Sequence, residues 1–256
     1  MLYKTSIDPD QLPKGFDLSG GKGDYPKTDS YFTFGSSGFL YRSNKLMYDR
    51  NTDTLWHQLL GTPAFGKLVG SGIRLERLPV TLTTWEAWLA EHPDTKVMSF
   101  ETGFVRDYRA GAAYAEYFAS PDTMFPVWRR SQLLPTKSWV FTQLIEDHPK
   151  AYPLSVLKDE LVVNDTLAGQ NLVVIHEDGG HGARAYERGD HTFAPANPES
   201  TVTIVDENGL AWQVTENALI SQNGGELPRS PGHMAYWFGW FSFYPHTELY
   251  GVEGNE

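Results

Sequence analysis

The feature that most limits what this chain can fold into is a set of spacings that occurs twice. Trp85 and Trp88 stand three apart, with Pro93 five residues beyond, and Trp237, Trp240 and Pro245 repeat that spacing. Thr95 and Val97 follow the first proline as Thr247 and Leu249 follow the second, and Pro79 and Pro231 each lie six residues ahead of the first tryptophan. Further upstream, Asp49 leads into Trp56 and Asp206 leads into Trp212, the stretch from tryptophan to proline being four residues longer in the first occurrence. Self-similarity of this kind argues for one structural unit used twice. Two copies are too few for a solenoid, so the expectation is two related units packed together.

The texture of each copy is that of strands. From Tyr31 short apolar runs alternate with turn residues (YFTF, FLY, KLMY, then DRNTD), and LVVIHED, GARAYER and TVTIVDE continue the pattern. Val, Ile, Thr and Tyr suit a pleated surface, and Asn208-Gly209 is a hairpin signal. Two short segments read as helix. Thr83 followed by Glu86 is a capping box; Leu82, Trp85, Trp88 and Leu89 share a face, and Pro93 ends the segment. YWFGWFSFY is apolar all round, which predicts burial between the two units, the rival being an exposed aromatic surface. The expected fold class is mainly β with a few short helices, each unit carrying a Trp-x-x-Trp helix packed on a sheet. Residues 1–29, with Pro13, Pro26 and Gly20-Gly21-Lys22-Gly23, read as a loosely ordered segment, 30–135 as the first unit and 136–256 as the second.

Composition narrows the chemistry. There are no cysteines, which removes disulfides, thiolate nucleophiles and Cys-based metal sites. A net charge of -11 repels phosphate backbones, so nucleic acid is not an expected partner. No apolar run reaches the roughly 18 residues of a membrane span, and the N-terminus lacks a signal-peptide core. These features leave the compartment open: cytoplasmic by default, or exported if a leader was removed. No fingerprint of a nucleotide, flavin or haem is present, so no cofactor is expected.

Three stretches carry a resemblance. FGSSGFLYRSNKLMYDRNTDTLWHQ, HPKAYPLSVLKDELVVND and WFSFYPHTELYG together resemble the prokaryotic family known as domain of unknown function 3179, from about Ser30 to Gly251. The resemblance implies a duplicated fold and brings no established activity. It also implies that AYPL and VND elements, and a CPLC-like strand, belong in the first copy, whereas here they stand only at Ala151 to Leu154 and Val163 to Asp165. The first copy is therefore expected to lack its leading strands. Its open sheet edge then needs cover from the N-terminal segment, a protein partner or a second chain.

Candidate site residues are polar groups set among apolar ones. Asn44, Tyr48 and Asp49 border a Leu/Met-rich strand, Arg106, Asp107 and Tyr108 follow Phe104 and Val105, and Lys150 precedes AYPL. Asn164 and Asp165 read as a turn, and Arg184 sits within a strand. They either satisfy one another structurally or converge on a cleft, where Lys150 and Arg106 would hold an anionic ligand and Asp49 or Asp107 would act as a base. HEDGGHGARAYERGDH offers His176, His181 and His191 to a metal, but a glycine pair between the first two breaks helical ligand spacing, so an exposed polar hairpin is the competing reading. Ser36 and Ser37 in GSSG miss the nucleophile-elbow spacing and read as a tight glycine turn. Two functions follow: a small-molecule or partner-binding scaffold, or a hydrolase or lyase acting on a small anionic or sugar-like substrate between the two units.

Overall fold

A computed structural model describes residues 2–16, 18–20, 30–109, 111–177 and 182–252. The chain is mainly β, with 38% strand against 12% helix. It divides into two compact units, residues 1–80 and 81–256. No helix among the described residues is long and apolar enough to cross a membrane.

In the first unit β1 (Leu2–Tyr3) precedes an antiparallel meander of β2 (Phe34–Tyr41), β3 (Asn44–Asp49), β4 (Leu55–His57) and β5 (Pro63–Phe65), and β6 (Arg77–Leu78) returns to pair with β1. Its core gathers Ile7, Leu18, Phe32, Trp56, Leu68, Ile73 and Leu75. The N-terminal segment contributes to this core: Leu18 is fully buried, and Ser6 bridges to Tyr31. Gly21 and Gly23 lie outside the described residues. GSSG is no turn between strands. It lies within β2, where the register shifts between Ser36 and Leu40, Gly38 takes a positive φ of 78°, and the Ser37 hydroxyl donates to the Leu46 carbonyl.

The second unit begins with α1 (Trp85–Glu91) and α2 (Ala115–Ala119). Then come β7 (Trp139–Ile145), β8 (His148–Pro153), α3 (Leu154–Glu160), β9 (Val162–Leu167), β10 (Gln170–His176) and β11 (Ala183–Glu187). It continues through β12 (Phe193–Asn197), β13 (Ser200–Asp206), β14 (Ala211–Val214), β15 (Ala218–Ser221) and β16 (Glu226–Ser230), and ends with β17 (Gly232–Tyr236), α4 (Trp237–Phe243) and β18 (Glu248–Leu249). Eight strands form one nearly closed antiparallel sheet in the order β12-β13-β14-β15-β16-β11-β10-β9. Its interior holds Val173, Ile175, Tyr186, Phe193, Ile204, Trp212 and Leu219. Its outer face at β9 to β11 packs Val163, Val174 and Ala185 against Phe141 and Tyr152 of a second sheet, ordered β17-β7-β8-β18. Burial on both faces is why LVVI runs without alternation.

Asn164 and Asp165 are strand residues of β9 rather than a turn. The Asn164 side-chain amide donates to the Phe193 carbonyl at 2.7 Å and accepts from its N–H at 2.8 Å. It thereby copies the two-bond exchange of an antiparallel residue pair and joins β9 to β12, the two ends of the sheet order.

The two tryptophan helices differ. In α4 Trp237, Phe238, Trp240 and Phe243 are all buried, as an apolar perimeter requires. In α1 no residue is fully buried and Trp85 is 51% exposed, so the expectation that tryptophans seal this helix onto a sheet fails. Its cap is Thr84, which accepts from the Ala87 N–H, rather than Thr83. The paired strands of the His176–His191 stretch are likewise not exposed: Ile175, His176, Ala183, Arg184, Ala185 and Tyr186 are buried, on β10 and β11 beside β9 in the eight-stranded order.

Candidate functional site

Arg184 is the residue around which the site is built. In β11 it alternates with Ala183 and Ala185, which face the second sheet, so its side chain goes with that of Tyr186 to the barrel side. There its guanidinium, 7% exposed, meets three carboxylates: Glu177 Oε1 at 3.1 Å, Glu216 Oε2 at 3.5 Å and Glu91 Oε1 at 3.7 Å. A second guanidinium, Arg229 of β16, donates to Glu216 Oε1 and to the Glu216 carbonyl, both at 2.7 Å, and to Thr81 Oγ1 at 2.8 Å. The Thr81 hydroxyl in turn donates to Glu216 at 3.0 Å. Buried charges persist only when paired, and this network gives both arginines carboxylate partners.

Beside the network is a cleft of about 100 Å³, roughly three water volumes. Ala87 and Glu91 of α1 form one wall, and Ile175, His176, Glu177, Arg184, Thr201, Val202 and Val214 form the rest. These strands sit far apart in the sheet order, so the cleft lies at one end of the curled sheet with α1 across it. Barrel mouths are a preferred place for ligands. Gly182, two residues ahead of Arg184, lets the chain ahead of α1 close in: a Cβ there would stand 2.1 Å from the Leu82 carbonyl oxygen and 2.9 Å from Glu177 Oε2.

Glu177 is the chemically distinctive member. Its side chain is 9% exposed, and its Oε2 and the Thr83 Oγ1 are buried without completing a well-formed hydrogen bond, although they lie close enough to influence one another. Burial pushes the Glu177 pKa up; Glu216 and Glu91 add to the rise, and the pull of Thr83 and Arg184 does not cancel it. Burial works against the charge of Arg184, yet Glu177, Glu216 and Glu91 outweigh it and keep the guanidinium charged. Burial also raises the Tyr186 hydroxyl to about 12. The result is a fixed cation surrounded by an excess of carboxylates, one of them drawn toward its neutral form.

A protein-family profile described as "Protein of unknown function (DUF3179)" matches residues 24–247. The chain belongs to this family. No curated protein and no solved structure matches it. Every residue of the Arg184 network, from Thr81 to Arg229, falls inside the DUF3179 match.

Of the other described residues selected from the sequence, His176 lines this cleft and the rest do not join it. Lys150 and Asp165 do meet: Lys150 Nζ lies 2.8 Å from Asp165 Oδ2 and 3.2 Å from Glu248 Oε2, and the Tyr152 hydroxyl donates to Asp165 at 2.8 Å. Burial opposes the Lys150 charge, but Asp165 and Glu248 prevail and hold its pKa above the ordinary value, while burial and Asp165 push Tyr152 upward. This lysine is saturated by its own carboxylates. Arg106 and Asp107 lie on an exposed stretch where Asp107 pairs with Arg109 at 2.6 Å, and Tyr108 shares a hydrogen bond with Thr102. Asn44 donates to the Arg42 carbonyl in the β2–β3 turn, and Arg50 lies over the Tyr48 ring. Asp49, wholly buried, accepts from Thr52 and from the Trp56 indole, and so fixes a turn.

Of the three histidines, His181 lies outside the described residues. His176 ends β10, its carbonyl accepting from Thr201. His191 gathers with Asp206 and Glu207, its Nδ1 3.7 and 3.3 Å from their oxygens. Asp206 already accepts from Asn208, Leu210 and the Trp212 indole, and the His191 ring leans on Trp212 at 5.2 Å. That arrangement spends the ligand atoms on a turn and a ring contact. An apolar groove of about 260 Å³ in the first unit, lined by Tyr3, Phe34, Met47, Trp56 and Leu75 among others, lacks a converging set of charges.

Sequence reasoning found Arg184 and missed its partners Glu91, Glu216, Arg229 and Thr81. The available signal was the strand itself: a guanidinium between two alanines must be answered by carboxylates, and the fold brings Glu91 and Glu216 to it from other segments of the chain.

Proposed function

We propose that this protein is a small-ligand binding module whose site is the Arg184–Glu177 cleft, and that its ligand is neutral and rich in hydroxyl groups. The observation that carries the reading is a cleft wall formed by a buried glutamate whose Oε2 is approached by Thr83 but completes no well-formed hydrogen bond, beside a guanidinium already engaged by three carboxylates. Arg184 offers an anion little, because any incoming negative charge meets Glu91, Glu177 and Glu216 first. Donor hydroxyls have acceptors waiting. The cleft's size suits the end of a larger molecule or a small polyol. Calorimetric titration with xylitol and glucose, set against succinate and phosphate, tests it. Binding of a neutral polyol, lost in Glu177→Gln, is the expected result; binding of the anions alone would sink the proposal.

One observation favours catalysis at the same place. A buried carboxyl with a raised pKa is suited to general acid–base work, so a hydrolase or lyase would use Glu177 as its proton donor or acceptor. Turnover of a bound polyol derivative, abolished by Glu177→Gln with binding retained, would select that reading.

We also infer that the two copies of the repeated sequence pattern descend from one by duplication, and several local geometries support it. Phe34 pairs with Asp49 and Phe193 with Asp206, each aspartate accepting from a tryptophan indole, Trp56 at 2.7 Å and Trp212 at 3.1 Å. The phenylalanine rings meet those tryptophans edge-on at 5.5 and 5.6 Å. Trp88 donates to Thr95 at 3.0 Å as Trp240 does to Thr247 at 2.9 Å. Tyr3 pairs with Arg77 as Tyr186 pairs with Arg229. On that alignment β1 fills the place of β11, and the described residues of the first unit hold no counterpart of β9 and β10. Phe32 is then the counterpart of His191, each ring leaning on its tryptophan, at 5.0 and 5.2 Å.

A further inference from the structure

Residues 96–133 run from beyond α1 to the approach of β7, with α2 as the only regular element among their described residues. Their rings are sorted into two sets. Tyr117 and Phe125 turn inward, making edge-on contacts with Tyr236 at 6.5 Å and Phe238 at 5.8 Å. Lys137 fastens the same stretch, its ammonium donating to the carbonyl oxygens of Tyr117 and Ser120 and lying 3.8 Å from the Tyr117 ring centre. Phe100, Phe104, Phe118 and Trp128 turn outward, each 62–74% exposed, with Met98 at 84% and Met124 at 65%. The segment is therefore anchored at its middle and presents a large apolar surface elsewhere.

Its charge is also unlike that of the rest. It carries five basic residues (Lys96, Arg106, Arg109, Arg129, Arg130) and four acidic ones (Glu101, Asp107, Glu116, Asp122), whereas the whole chain has 21 and 32. We propose that this arm docks on the body of a second copy of the chain, the two arms exchanging reciprocally about a two-fold axis. The six outward side chains show on the order of 800 Å² to water. That matches the roughly 800 Å² each partner contributes to a standard interface. Charge selects the partner. Outside the arm the chain is strongly acidic, so two bodies repel one another, and the slightly basic arm is the part of one copy that the other attracts. Reciprocal exchange covers both arms at once and closes the assembly.

Sedimentation velocity on the full chain at micromolar concentrations tests the proposal. The expected species has twice the 28.8 kDa mass of one chain, and it dissociates as salt is raised. A Phe100→Ser/Phe104→Ser/Trp128→Ser variant should sediment as a monomer with unchanged circular dichroism. The chain has no cysteine, so Met98→Cys carries a single environment-sensitive dye whose emission should move to the blue as concentration rises. That reading stands even if the triple variant fails to fold. A monomer at all concentrations with static dye emission, a dimer that survives the triple substitution, or a monomer that instead pellets with anionic phospholipid vesicles would each overturn the proposal.

Discussion

Arg184 and Glu177 are worth more to each other than either is alone. Arg184→Met leaves Glu177 and Glu216 facing each other without their shared counter-charge, and a buried ion pair broken on one side typically costs about 3–5 kcal/mol. Urea denaturation should show that loss, and the Arg184→Met/Glu177→Met double variant should regain part of it, since two apolar side chains leave no orphaned charge. Titration supplies an independent check. The Glu177 pKa is raised in the folded state, so its contribution is fully present below the ordinary carboxylate range and fades as pH rises through the folded value. Glu177→Gln should flatten that part of the stability profile. His57 behaves oppositely. Burial, with Arg42 adding, lowers its pKa, so protonation favours the unfolded chain and stability should fall on acidification through about 6.5. His57→Gln should remove that fall, read from melting temperature against pH. At this scale the sequence exposed the right kind of residue and little of its company. Arg184 and Lys150 were visible as cations in apolar surroundings, but Glu216 sits in a loop that nothing local distinguishes from other acidic loops.

At the scale of elements, two tryptophan–aspartate pairs do comparable work in different sheets. Trp56→Phe and Trp212→Phe each remove an indole donor from a buried aspartate and leave a gap, at about 2–3 kcal/mol apiece. Similar losses are expected if the two turns are versions of one design, and denaturation midpoints would reveal a disparity. The spacing of these residues was legible because each hairpin is local. The burial of the histidine-rich hairpin was not, because its strands acquire their outer cover from Phe141 and Tyr152, which are distant in the chain. Thr83 was mistaken for the α1 cap because two threonines stand side by side, and only the backbone shows that Thr84 is the extended one. The exposure of α1 has a similar origin: its tryptophans match those of α4 in spacing, yet the sequence does not state whether a sheet face waits beneath them.

For the whole molecule, the first unit and the barrel have separate cores and, among the described residues, share no sheet. Calorimetry should therefore resolve two unfolding steps, the Trp56→Phe change lowering one and Trp212→Phe the other. The mainly β character and the family were both readable from the chain, since alternating runs and three long stretches of motif carry them. The closure of eight strands into a near-barrel was not, because it depends on which strand ends meet. That meeting is made by Asn164, whose side chain stands in for main chain between β9 and β12. Every other junction in the eight-stranded order is a ladder of main-chain pairs, so a force applied across the barrel concentrates its tearing at one amide. Unzipped there, the cylinder would open flat along a single line, the way a sleeve parts at its button.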